Sequence, residues 1–360
     1  MQLNDELNVA FKAIDELSNA YNHALEYGRT PNDQPVRMGT EEEPELGYKT
    51  LYKYQFGNNG VLEPFTAEQA KKEDEEHRQV ENSSMLALRH ALNPLTSNQL
   101  IDEQVEKFVP GTRAWAFEDF DQWCQADLKH RVHVLVASAG VGKTGILCKL
   151  VRERPDVVVA YHFCRHDDTS RSNPRRMLCS IAFQLAKSFP KYSEALVALN
   201  LTRADLLEEN ITGLFKTLFV EPLHTLENPS NKKRVILIDA LDECDHEGGK
   251  NDILQCIARY FDKLPKWLGV YVTTRPETPI TSKLKKFDPT ELHPEEQRNI
   301  EDIRIFFQHI LRKVCGDDQD IYNAAVEVMI EKSKGLFIYA AMADTKINEE
   351  LSSGMTPKLA

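Results

Sequence analysis

No C-x-x-C pair occurs among the seven cysteines of this chain. An odd, unpatterned set reads as reduced, buried thiols of a cytoplasmic protein, not as a disulfide frame. No apolar run approaches the ~18 residues that cross a bilayer. Met1–Leu7 shows no basic stretch followed by an apolar block, so no signal peptide is expected there. No internal repeat recurs at a period of roughly 20–50 residues, which argues against a solenoid. Positive charge is also short. Forty-four Lys and Arg face 56 Asp and Glu, a net charge of −12. That balance argues against general binding to nucleic acid or to an anionic membrane. What is present is length and apolar content. The 360 residues, 41% hydrophobic, suffice for two or three domains with a sizeable core.

The organising stretch is Val132–Leu150, V-H-V-L-V-A-S-A-G-V-G-K-T-G-I-L-C-K-L. An apolar run ends in a loop of small residues, and a helical pattern opens at Lys143. This order of strand, loop and helix is that of a P-loop. The candidate nucleotide-binding residues are Ala137, Ser138, Ala139, Gly140, Val141, Gly142, Lys143, Thr144 and Gly145. Gly140 and Gly142 let backbone N–H groups turn toward phosphate oxygens. Lys143 is placed to reach the β and γ phosphates, and the Thr144 hydroxyl to ligate Mg²⁺. The helix N-terminus adds partial positive charge. Ala137 stands where the usual motif has glycine, a change that a negative φ tolerates.

Two later strands supply partners. In V-I-L-I-D-A-L-D-E-C, four aliphatics lead to Asp239, which is placed to hold Mg²⁺ opposite Thr144. Asp242 and Glu243 follow, and a carboxylate there can orient or deprotonate a water. Glu243 reaches further, but neighbours at a turn are not ranked by position. The strand V-Y-V-T-T-R-P-E ends in Arg275, suited to sensing or stabilising γ-phosphate charge.

Around this core the chain reads as follows. Residues 1–30 are an amphipathic helix, with Leu7, Ala10, Ile14, Leu17, Tyr21 and Ala24 spaced by threes and fours. Residues 31–84 are an acidic linker and a poorly defined segment, in which Tyr52, Tyr54 and Phe56 suggest a strand before the Asn58-Asn59-Gly60 turn. Residues 85–130 are a helical lead-in, with Thr112 capping a helix whose face carries Phe117, Phe120 and Trp123. Residues 131–290 alternate strands and helices, which means a largely parallel sheet covered on both faces. Strands are expected at 157–164, 234–243 and 268–274, with helices at 174–188 and 252–262. After Asp288-Pro289 strands are expected to cease, leaving a helical region over 291–360. His162, Cys164 and His166 alternate along a strand, but no fourth ligand stands at zinc spacing. They read as strand residues and a loop histidine.

With these strings in view, the chain resembles a NACHT-type, nephrocystin-3-like member of the STAND class of P-loop NTPases. The likeness is carried by Ala137–Thr144, His162–Cys164, Pro174–Leu185, Ile238–Cys244 and Thr273–Glu277. The upstream P-G-T-R-A-W resembles the segment such proteins fold against adenine and ribose, which makes Arg113 a nucleotide-binding candidate. The resemblance implies an α/β fold, a three-layer P-loop NTPase parallel sheet flanked by N-terminal helices and a C-terminal helical region. It also implies a switch governed by ATP or GTP with Mg²⁺, closed with diphosphate and self-associating with triphosphate, with protein partners. Neither the winged helix nor the repeat array of many family members is legible in these residues. The expected function is that of a slow regulatory nucleoside-triphosphate hydrolase, with Glu243, Asp242 and Arg275 as catalytic candidates. A nucleotide-dependent scaffold with little hydrolysis, or a small-molecule kinase using Arg171, Arg175 and Arg176, are the rivals. No nucleic-acid partner and no membrane span are expected.

Overall fold

A computed structural model describes residues 36–42, 49–56, 62–64, 83–126, 130–224, 226–227, 232–244, 252–312 and 319–352. The expected helix over residues 1–30 lies outside the described residues. The chain divides into two units, Met1–Ser84 and Met85–Ala360.

The first unit contains an antiparallel sheet of β1 (Val36–Glu42), β2 (Lys49–Phe56) and β3 (Leu62–Pro64), with β2 central. Its strand over residues 49–56 agrees with the aromatic alternation. Within the segment expected to be an acidic linker, residues 36–42 pair with β2 from Val36↔Tyr54 to Glu42↔Lys49. An edge strand carries charge readily.

In the second unit, residues 83–92 form helix α1. They are followed by α2 (Asn98–Glu106) and α3 (Ala114–Gln125). Next come β4 (Val132–Ala137), α4 (Lys143–Glu153), β5 (Val158–Phe163) and α5 (Pro174–Ser188). Four short helices follow: α6 (Pro190–Ala198), α7 (Arg203–Glu208), α8 (Ile211–Phe215) and α9 (Glu221–His224). The core is completed by β6 (Arg234–Asp239), α10 (Asp252–Tyr260), β7 (Leu268–Thr274), α11 (Thr278–Leu284) and β8 (Thr290–Leu292). Three helices close the unit: α12 (Gln297–Leu311), α13 (Gln319–Ser333) and α14 (Phe337–Ser352).

The five strands β4–β8 form one parallel sheet in the order β5-β6-β7-β4-β8. Side-chain alternation splits it into two cores. Val132, Val134, Val136, Ile236, Ile238, Val270 and Val272 join α5 and α10 in one. Leu135, Ala137, Val235, Leu237 and Tyr271 join α3 and α4 in the other. A sheet apolar on both faces needs a helical layer on each, and this is the three-layer α/β architecture. Helix α4 turns Ile146, Leu147, Cys148 and Leu150 inward, each at most 1% exposed. Burial of one such aliphatic side chain stabilises by about 1.5–3 kcal/mol. A third core joins α12, α13 and α14.

Three expectations need correction. Strands do not cease after Pro289: β8 pairs with β4 through Leu135↔Thr290 and Ala137↔Leu292. At three residues it is too short for an alternation pattern to register. The strand expected over residues 234–243 ends at Asp239, because Ala240 turns left-handed (φ 54°) and opens a 3-10 turn, Leu241–Glu243. Thr112 does not cap α3. Arg113 holds the N-cap position at φ 62°, while the Thr112 hydroxyl donates to the Val109 carbonyl at 2.8 Å.

Candidate nucleotide-binding site

The loop after β4 leaves the carboxyl edge of the sheet where the strand order reverses. The chain goes from β4 to the far strand β5, whereas β8 lies on the other side of β4. Open α/β sheets bind ligands at such a point. Gly140 and Gly142 are left-handed, at φ 81° and 92°, which ordinary side chains disfavour. Gly142 occupies the N-cap of α4, so the first free N–H groups of that helix border the loop. Val141 is fully buried and anchors the loop to the core, while Ser138 and Ala139 line an adjoining cavity. Gly145 lies in the first turn of α4.

The Lys143 ammonium donates to the carbonyls of Ala137 at 2.7 Å and Ser138 at 3.0 Å. Burial lowers its pKa from the ordinary lysine value, and the Asp239 and Asp242 carboxylates oppose that shift. The ammonium is thus folded over the phosphate loop within the field of both acids.

Asp239 is the convergence point of three elements. Its Oδ2 accepts from the Thr144 hydroxyl of α4 at 2.6 Å, and its Oδ1 from the Thr273 hydroxyl of β7 at 2.6 Å. The side chain is 2% exposed, and desolvation raises its pKa against these two hydrogen bonds and Lys143. A carboxylate and a hydroxyl in contact at the mouth of a phosphate loop are hard oxygen donors of the kind that suit Mg²⁺. Thr273 was missed from sequence. Its signal was a hydroxyl pair, Thr273-Thr274, ending an otherwise apolar strand, and both are fully buried.

Beyond Asp239 the left-handed Ala240 swings the chain so that Asp242 and Glu243 meet Arg275 at the end of β7. Asp242 accepts from the Arg275 backbone N–H at 2.9 Å and lies 3.1 Å from its Nε. Glu243 Oε1 lies 2.5 Å from Arg275 Nη2, and its Oε2 lies 3.5 Å from His166 Nδ1. The three catalytic candidates therefore form one ion cluster. Asp242 is its buried member at 2% side-chain exposure, and Glu243 the more open one at 19%. His162 is buried with Nε2 2.9 Å from the Arg171 carbonyl, and Cys164 is buried beside it in sequence.

Arg113 is packed among protein groups. It is 2% exposed, and its guanidinium donates to the Val141 carbonyl and, at 2.8 Å, to Asn299 Oδ1. It also lies 3.7 Å from Asp302 Oδ2 and 4.0 Å from the Phe337 ring centroid. Its polar contacts are with the protein, so it bolts the phosphate loop to α12 and α14. Burial pulls its pKa down to about 10, with Asp302 opposing, which leaves it charged at neutral pH. Asn299 and Asp302 were also missed. Both occupy the buried face of α12 beside Ile303 and Phe306, and polar residues on an apolar stripe are the signal that could have found them.

Residues 111–275 match the family model described as nephrocystin 3, N-terminal. Solved structures to which this chain is similar include a chain of Drosophila ORC bound to DNA. It is 17% identical at a TM-score of 0.42, covering 72% of this chain and 62% of that one. Cdc6p from Pyrobaculum aerophilum is 16% identical at a TM-score of 0.42, with 69% and 65% covered. Domain III of the Thermotoga maritima replication initiation protein DnaA is 12% identical at a TM-score of 0.38, with 71% and 91% covered. This chain thus spans less than two thirds of the ORC chain it matches. Over residues 111–275, a little under half of its length, the chain is thus similar to the nephrocystin 3 N-terminal family.

Proposed function

We propose that this chain binds ATP or GTP with Mg²⁺, hydrolyses it slowly, and uses the bound state to switch its assembly with itself and with protein partners, as a STAND-class regulator would. The observation that carries the reading is the 2.6 Å contact between Thr144 Oγ1 and Asp239 Oδ2, which joins the two halves of a metal-and-phosphate site. Lys143 and the N–H groups of residues 138–145 would hold the β and γ phosphates, and Thr144 and Asp239 would hold Mg²⁺. The ion would supply charge neutralisation on the phosphate oxygens.

The chain's own groups do the rest. Glu243, the more open acid, aligns a water and takes its proton. Asp242 holds Arg275 by backbone and side chain, and Arg275 offsets charge on the terminal phosphate. One observation favours the scaffold reading as the slow limit. Arg275 Nη2 lies 2.5 Å from Glu243 Oε1, so one oxygen of that carboxylate is already engaged by the protein. Two of the three arginines of the kinase reading are tied to the protein. Arg171 is tied to Asp168, Ser97 and Thr96, and Arg175 to the Leu206 and Glu209 carbonyls.

The test is steady-state phosphate release with ATP and with GTP, in the presence and absence of small-molecule acceptors. Slow release independent of acceptor supports the hydrolase. Binding without release leaves the scaffold. Release or transfer that requires an acceptor overturns both in favour of a kinase.

A further inference from the structure

Beside the phosphate loop lies a cavity of about 650 Å³ with three walls. Ser138 and Ala139 form one, residues 293–295 the second, and Lys334 with Leu336 the third. The Ser138 carbonyl on the first wall lies 3.0 Å from the Lys143 ammonium. In a phosphate loop that ammonium marks the β and γ phosphates. The cavity therefore adjoins the terminal-phosphate end of the loop.

The third wall is a rigid mount. Lys334 is left-handed at φ 48°, a conformation that costs a side-chain-bearing residue energy and that clusters at functional turns. Ser333, 1% exposed, donates through Oγ to the Ile330 carbonyl at 2.7 Å, and its backbone carbonyl accepts the Leu336 N–H at 2.9 Å. Asn299 Nδ2 donates to the Gly335 carbonyl at 2.8 Å and to the Pro294 carbonyl at 2.6 Å, joining the second and third walls. The Ile338 N–H donates to the Gly140 carbonyl at 2.9 Å, joining the third wall to the loop itself. Of the charged groups on these walls, His293 is 3.3 Å from Glu291, and Glu295 is acidic. Lys334 has no carboxylate partner among the described residues, unlike Lys149 and Lys286.

We infer that Lys334 is a terminal-phosphate sensor, by which the helical region distinguishes a nucleoside triphosphate from a diphosphate. The inference rests on the nucleotide reading above and assigns a regulatory contact to that same site. An ammonium at the γ position gains a charge-assisted bond with a triphosphate and none with a diphosphate. By linkage, the ligand with the extra bond holds the Lys334 turn, and with it α14, against the loop. Loss of the terminal phosphate removes that hold.

The experiment is calorimetric titration of ATPγS and ADP, and of GTPγS and GDP, each with Mg²⁺. It uses the full chain and the variants Lys334→Ala, Lys334→Gly, Lys334→Arg and Lys143→Ala. Lys334→Gly removes the ammonium while relaxing the left-handed residue, so a thermal melt no lower than wild type excludes misfolding. Expected is a loss of about tenfold or more in triphosphate affinity for the Ala and Gly variants, with diphosphate affinity unchanged. Lys334→Arg retains the preference, and Lys143→Ala weakens the binding of both ligands. An unaltered triphosphate preference in Lys334→Ala and Lys334→Gly overturns the sensor, as does an equal loss of both ligands. A wild type that binds none of the four nucleotides overturns the nucleotide reading, and the sensor with it.

Discussion

The Arg113 guanidinium donates to the Val141 carbonyl in the middle of the phosphate loop, although 28 residues separate the two. The same guanidinium reaches Asn299 and Asp302 on α12, so the loop's shape is tied to the helical region by one buried cation. Arg113→Ala leaves the buried Asp302 carboxylate without its cation, although the backbone N–H of residue 113 and Trp115 Nε1 still donate to it, and it takes the guanidinium from Asn299 Oδ1 and the Val141 carbonyl. Loss of one member of a buried pair destabilises by about 3–5 kcal/mol. Urea denaturation should report a drop of that order. Arg113→Lys, lacking the fork, should recover only part of it. Stability within about 0.5 kcal/mol of wild type for Arg113→Ala would mean that the bolt carries nothing.

Asp239→Asn replaces an acceptor of two hydroxyl bonds by a neutral group of the same size. If Asp239 serves the metal, the loss of nucleotide affinity is larger with Mg²⁺ than with EDTA. Parallel titrations in the two buffers measure the difference. Equal losses would reduce Asp239 to a structural hub for Thr144 and Thr273.

The acidic turn separates its two members by burial. Asp242 is held by both the backbone and the side chain of Arg275, whereas Glu243 keeps a partly open oxygen. Glu243→Gln should retain nucleotide and slow single-turnover hydrolysis by about a hundredfold, the lower range for a positioned base. Asp242→Asn should lower the melting temperature as well as the rate. Wild-type hydrolysis in both variants would remove the turn from catalysis. Slowed hydrolysis in Glu243→Gln with no change in light scattering under triphosphate would detach turnover from assembly.

His162 gives a pH signature that does not depend on nucleotide. Burial lowers its pKa to about 4, against a raising hydrogen bond to the Arg171 carbonyl. A histidine whose folded pKa is depressed favours the native state while neutral. Its contribution is complete above the unfolded value near 6.5 and is lost as pH falls from there toward about 4. At pH 5 the loss is about 2 kcal/mol. His133, lowered to about 4 by burial, acts in the same direction. Melting temperatures should therefore drop between pH 7 and pH 5, and less so in His162→Gln. An identical pH slope in that variant would contradict the assignment.

What the sequence showed plainly was whatever local pattern encodes. The glycines of the loop, the four aliphatics before Asp239 and the Arg after Thr274 each announce a strand end with chemistry on it. The structure brings Thr144 to Asp239, and Arg275 to Asp242 and Glu243, within hydrogen-bonding reach. Contacts made across long separations were not legible. Thr273 reads as one more β-branched strand residue until Asp239 is placed beside it. Asn299 and Asp302 look like helix-surface polars until Arg113 is found between them. For Arg113, too, no local pattern says which way a buried guanidinium turns. The edge strands Val36–Glu42 and Thr290–Leu292 escaped for a simpler reason. One is acidic and the other is three residues long, so neither shows the alternation that marks a strand.

The central claim is that the loop from Ala137 to Thr144 holds a nucleoside triphosphate through Lys143. Calorimetric titration of Mg²⁺-ATP and Mg²⁺-GTP into wild type and Lys143→Ala tests it most directly. The removed bond is charge-assisted, worth about 1.5–3 kcal/mol, so affinity should fall by about ten-fold to a hundred-fold while the fold is retained. Unchanged affinity in Lys143→Ala, or no binding of either nucleotide to wild type, would contradict the account.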